Sequence, residues 1–268
     1  MLVAVMAAAL PLLYWFSAAA VSLVTLRKGE ASGAQIAVWA LLPTVFWAQR
    51  GDVTPMIVIA ASYLLAVILR RSVSWQRVLQ FAIVLTVLSG LGQQLFNADM
   101  IHVVVQETQK LMSQTSSEAG SYFAERSQWL FQATLGVFDA LHLVMMLSSL
   151  FLARWWQARL FNPGGLQQEF HQLRFSPQFT TLLIAAAVVA QMSGGELVRW
   201  LPVIVLPLLI AGLALAHGSV AKKGLGRSWL VVLYLAAVLL GPYVITMLVV
   251  LATIDTFVDI RRRIPASH

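Results

Sequence analysis

The sequence predicts an all-α protein: a polytopic bundle of transmembrane helices made from about eight apolar segments, some short or broken. Three observations predict this. First, 59% of the 268 residues are hydrophobic and only 11% are charged, with a mean hydropathy of +0.80. A soluble domain carries about 25% charged residues, so the bilayer must act as solvent for this chain. Second, the apolar stretches are long and continuous, without strict alternation, which favours helices over a closed barrel. Third, basic residues gather in every other connection, the pattern that orients a multi-pass protein with its basic loops in the cytoplasm.

The segments run in order over Leu2–Leu26, Ala34–Ala48, Pro55–Leu69, Val78–Leu95, Trp129–Ala153, Phe179–Met192, Leu201–Ala216 and Trp229–Ile254. Several are shorter than the roughly 20 residues that cross about 30 Å of hydrocarbon. They therefore borrow flanking residues, tilt, or end inside the protein. Arg27 and Lys28 follow the first segment, Arg70, Arg71 and Arg77 the third, Arg154, Arg159 and Arg174 the fifth, and Lys222, Lys223 and Arg227 the seventh. Eight simple crossings would leave Arg261–Arg263 outside. Gly241-Pro242 interrupts the last segment, and proline both removes a backbone donor and clashes with the preceding turn. A simple kink, the commoner outcome at such a proline, would leave the charge rule broken once, whereas two half-length helices that enter and return would bring the arginine triplet back to the cytoplasmic side; the two remain open, with a slight lean to a cytoplasmic C-terminus.

The whole chain, residues 1–268, reads as one integral-membrane domain. An outer loop spans 96–128 and a cytoplasmic connector spans 154–177. In the outer loop, Ile101, Val104, Val105, Leu111 and Met112 recur at helical spacing opposite Gln106, Glu107, Gln109 and Lys110. This predicts an amphipathic helix lying on the outer surface, followed by a polar hinge at 114–121. In the connector, Asn162-Pro163-Gly164-Gly165 turns the chain. Leu166, Phe170 and Leu173 then share one helical face, with Gln167, Gln168, Glu169 and Gln172 on the other. The plain reading is a surface helix joining two spans. The sharper one is a docking surface for a cytoplasmic or membrane protein, using Leu166, Phe170, Leu173 and Glu169.

Ionisable groups at membrane depth cost about 2.5–3.5 kcal/mol on insertion scales, so each needs a reason. In the fifth segment Asp139 and His142 stand three residues apart on one face. Gln132 lies two turns before Asp139, and Ser149 two turns after His142. This polar stripe should face the bundle interior, as helix-packing polarity or as a ligand or proton site. Gln93 and Gln94 follow Ser89-Gly90-Leu91-Gly92 near the outer end of the fourth segment. The small residues permit close helix approach, and the glutamines could line an outer cavity. Glu196 and Arg199 read as an interfacial ion pair at an outer turn, and Asp255 and Asp259 as local partners of Arg261–Arg263.

Other chemistries are weakly supported. There is no cysteine, hence no disulfide, thiol catalysis or Cys-based metal site. One Asp and one His are too few for a metal centre. No HExxH, GxSxG or Walker loop occurs, so no enzyme activity, metal or cofactor is expected. The net charge of +7 lies beside the membrane segments and does not point to nucleic acid.

The stretch WWQARLFNPGGLQQEFHQLR, Trp155–Arg174, resembles the YybS-like family of uncharacterised bacterial polytopic membrane proteins. SAAAVSLVTLRKG at Ser17–Gly29 and IDTFVDIRRR at Ile254–Arg263 look like that family too. The resemblance implies a location in the bacterial cytoplasmic membrane. It also implies a fold similar to the substrate-binding S components of energy-coupling-factor transporters. On that footing the leading expectation is a small-molecule binding or transport subunit, its ligand entering from the outer face near Asp139 and His142. The competing expectation is a membrane scaffold or assembly factor that binds other proteins and no small molecule.

Overall fold

The computed structural model describes residues 1–10, 13–115, 127–193, 195, 197–226 and 228–265. The described residues are helical, with no strand among them. Among the described residues five helices are long and apolar enough to cross a bilayer, which makes this a multi-pass membrane protein. The chain divides into two compact units: Met1–Phe161 with Val189–Val203, and Asn162–Val188 with Ile204–His268.

The first unit contains α1 (Leu2–Ala9), α2 (Tyr14–Lys28), α3 (Glu30–Ala48), α4 (Thr54–Ser72), α5 (Trp75–Thr115) and α6 (Ser127–Phe161). A 3₁₀ turn at Val198–Trp200 belongs to it as well. Two sequence expectations are corrected here. The first apolar segment is two helices, α1 and α2, packed against one another. Its hydropathy is continuous, but Pro11 falls inside it, and a helix interior does not accommodate proline's missing donor. The second correction concerns the outer loop. The amphipathic stretch is not a separate surface helix, because α5 continues without a break to Thr115. Its 41 residues make a rod of about 60 Å at 1.5 Å per residue, about twice the hydrocarbon thickness. The side chains of Ile101, Val104, Val105 and Met112, and residues 116–126 of the loop, lie outside the described residues.

Small residues let the helices of this unit approach closely. Ala4, Ala8, Ala18, Ala37 and Ala40 are buried with Val21, Val58 and Ile59 in one cluster. Without a hydrophobic driving force in lipid, such close contact is the main source of helix association. Arg27, Arg70 and Arg71 collect at one end. Arg70 donates to the Leu26 carbonyl at 2.5 Å, Arg71 pairs with Glu30, and the Arg27 guanidinium lies 3.3 Å from the centre of the Phe161 ring. The C-terminal ends of α2, α4 and α6 therefore meet, as the alternating loop charges require.

The second unit contains α7 (Gly165–His171), most of α8 (Pro177–Met192) and α9 (Leu201–Lys222), then α10 (Ser228–Leu240), α11 (Pro242–Val258) and α12 (Ile260–Arg263). The NPGG turn behaves as read: Gly165 N–H donates to the Asn162 carbonyl at 3.0 Å, and Gly164 sits at φ 87°. The chain breaks at Gly241, φ 30°, and α11 packs back on α10. Lys222 donates to the Arg261 carbonyl at 2.6 Å. The start of α10 and the end of α11 thus lie at the same end of α9. Gly241-Pro242 marks an entry and return, and the arginine triplet rejoins the other basic residues of this unit.

Candidate functional site

One cluster of buried polar groups in the first unit lies towards the end opposite Arg27, Arg70 and Arg71. Four segments supply them: the start of α4, the middle of α5, the first half of α6, and the 3₁₀ turn. Asp139 and Arg199 are both almost fully buried. Arg199 Nε donates to Asp139 Oδ2 at 2.5 Å and Nη2 donates to Oδ1 at 3.2 Å. Its Nη1 donates to Gln94 Oε1 at 2.7 Å. The guanidinium plane also lies 4.6 Å from the Trp200 ring centre. This two-pronged geometry matches the planar fork of arginine to both carboxylate oxygens and leaves neither charge alone.

His142 lies one turn further along α6 and is 5% exposed. Its ring contacts are longer: Nε2 is 3.2 Å from Thr54 Oγ1, and Nδ1 is 3.5 Å from Gln93 Nε2. Thr54 is placed by Asp52, whose Oδ1 accepts from Thr54 N–H at 3.0 Å at the start of α4. Pro55 follows, where its fixed φ suits a first helical turn.

Two glycines make room for the arginine. A Cβ at Gly90 would stand 2.7 Å from Arg199 Nη2 and would strike Asp139, and one at Gly136 would meet the Arg199 backbone. A Cβ at Gly92 would meet nothing within 4 Å. Of the small residues preceding the glutamines, then, Gly90 is the one that permits close approach.

The sequence reading is met in part. Asp139, His142, Gln93 and Gln94 do come together, but the partner of Asp139 is Arg199. The expected interfacial position of Arg199 is corrected: Arg199 is 2% exposed and bound to Asp139, while its expected partner Glu196 lies outside the described residues. Ser149 is buried and donates to the carbonyls of Trp15 and Met145, at 3.1 and 2.8 Å, so it ties α6 to α2. Gln132 is half-buried near the start of α6. Neither joins the cluster in a described contact. The sequence signal for Gly136 and Arg199 was present only as a glycine and a cation, sixty-odd residues apart.

The proposed docking residues of the second unit are less exposed than the amphipathic pattern implies. Leu166, Glu169 and Phe170 are half-buried, and Phe170 meets the His217 ring edge-on at 5.6 Å between centres. Leu173 is 5% exposed and follows the end of α7, where its carbonyl accepts from Arg261 at 2.7 Å. It is part of the fold and is not offered to a partner. Asp255 pairs with Arg261 at 3.1 Å and Asp259 with Arg262 at 2.9 Å, as expected, but Asp259 also holds Arg174 at 2.7 Å. Burial and the neighbouring Arg261 charge pull the His171 imidazole below its usual value. Among the described residues no group of three or more His, Cys, Asp or Glu is placed to hold a metal ion. Comparisons with known protein families, with curated proteins and with solved structures return no match.

Proposed function

We propose that the protein is a non-catalytic binding subunit of the bacterial cytoplasmic membrane, of the S-component kind, which takes a small polar molecule at its outer side. The observation that carries this reading is the convergence of Thr54, Gln93, His142 and the Asp139–Arg199 pair from four segments at one buried end. The resemblance of Trp155–Arg174 to YybS-like proteins supports it. In this reading the ligand meets His142, Gln93 and Thr54, whose mutual contacts are long and exchangeable. Asp139 and Arg199 form a fixed ionic wall. The sequence has no nucleotide-binding loop, so active uptake would draw on a separate motor or an ion gradient.

The test is native mass spectrometry of protein extracted gently from its own membrane, as wild type and as a His142→Ala/Gln93→Ala double variant. A small molecule retained by the wild type and absent from an equally stable variant is the expected result. A molecule retained equally by both would reject the site.

The saturation of Asp139 by Arg199 favours a second reading, a scaffold whose polar cluster only fixes helix packing. That reading expects a retained protein partner, no small molecule, and loss of stability rather than binding when His142 is changed.

A further inference from the structure

The second unit contains a basic cavity that the reading above does not use. It measures about 460 Å³ and is lined by Arg174, Lys222, Arg261, Arg262 and Asp259, with Ser219 on one wall. Asp255 pairs with Arg261 from behind. Four cations thus face two carboxylates, a surplus of two positive charges. Arg174 and Arg261 are committed to the fold: Arg174 holds Asp259 and the Thr256 carbonyl, and Arg261 holds the carbonyls of His171 and Leu173. Lys222 and Arg262 are held by fewer contacts. The described contact of the Lys222 ammonium is to one carbonyl, and Arg262 is 87% exposed while sharing Asp259 with Arg174.

Ser219 also lines a second cavity, again about 460 Å³, between α9, α10 and α11. Its walls are almost wholly apolar, including Leu215, Leu230, Leu233, Leu248 and Leu251. Trp229, close to Lys222 in sequence and of a type that favours the headgroup level, lines it too. A cationic chamber therefore opens beside an apolar one, at the end of the helices where basic residues collect. We infer that this pair of cavities binds an anionic phospholipid, with its phosphate against Lys222 and Arg262 and an acyl chain in the groove beneath Ser219. Charge selects the headgroup, as basic pockets between membrane helices do for acidic lipids. The groove selects an amphiphile over a soluble anion. The inference concerns the second unit alone and stands or falls apart from the His142 reading.

The experiment uses the full-length protein in detergent, mixed with equimolar phosphatidylglycerol and phosphatidylcholine, with bound lipid read by native mass spectrometry. The expected result is at least tenfold preferential retention of phosphatidylglycerol. Lys222→Glu/Arg262→Glu should abolish the preference, and Ala236→Trp, which fills the groove, should lower retention of both lipids. Each change is on an exposed or half-buried side chain, and unchanged thermal unfolding checks that the fold persists. Equal retention of the two lipids by the wild type would overturn the inference. Displacement of the lipid by millimolar inorganic phosphate, with no effect of Ala236→Trp, would also overturn it and assign the cavity to soluble phosphate.

Discussion

Arg199 is the residue on which the buried cluster most depends. Its removal would leave the Asp139 carboxylate buried and unpaired, a loss of about 3–5 kcal/mol. Arg199→Met should therefore lower the unfolding temperature in detergent sharply. The double change Arg199→Met/Asp139→Leu should recover much of it, because no charge is then stranded. Recovery close to wild type would identify the pair as packing polarity, and failure to recover would give it a role beyond stability. Gly90→Ala should cost about 1–3 kcal/mol by pushing into the pair. Gly92→Ala, where a methyl meets nothing, should be neutral or slightly stabilising as a better helix former. Val73 is the opposite case. It ends α4 in the left-handed region at φ 48° and is 81% exposed. L-residues other than glycine pay about 1–2 kcal/mol there, so Val73→Gly should raise stability by about 1 kcal/mol in the same melting assay. For His171 the sign follows from its lowered pKa. The unfolded chain takes up a proton below the ordinary histidine value while the folded protein resists it. Stability should thus fall as pH drops below about 6.5, and a His171→Gln variant should lose part of that pH slope.

Among the elements, most helices were legible because the bilayer admits few alternatives: a long apolar run without alternation must be helical. The NPGG turn and a break at Gly241-Pro242 were legible because glycine and proline act locally, but whether that break was a kink or a return was not. What stayed hidden has a common physical cause. The break at α1 and the length of α5 both contradict hydropathy taken alone, since hydropathy measures solvent preference and not helix continuity. The Asp139–Arg199 contact joins residues sixty positions apart, and nothing in local spacing encodes it. The α9–α11 contact at Gly212 and Leu248 is likewise remote in sequence. A Cβ at Gly212 would stand 3.0 Å from Leu248 Cβ and would crowd the Leu248 backbone. Gly212→Val should separate these two helices and release the end of α11, which protease sensitivity near Arg261–Arg263 would report.

For the molecule as a whole, topology is the measurable quantity, and the lack of cysteine makes it clean to measure. Single cysteines at Lys223 and Ile264 should react with a membrane-impermeant maleimide from one side. Reaction of Ile264→Cys from the side opposite to Lys223→Cys would contradict the return at Gly241.

The same α5 helix has a mechanical consequence. Gln93 and Gln94 sit near its midpoint, and about 32 Å of unbroken helix continues beyond them to Thr115. A helix of that length is a lever. With a pivot at Gly90, a sideways displacement of about 3 Å at the far end corresponds to a rotation of about 5° at the pivot. The lever arm from Gly90 to Gln93 is short, but the contact there is already the longest in the cluster. Whatever grips the distal end of α5 would therefore work on the amide that faces His142 without touching the membrane-embedded part of the protein.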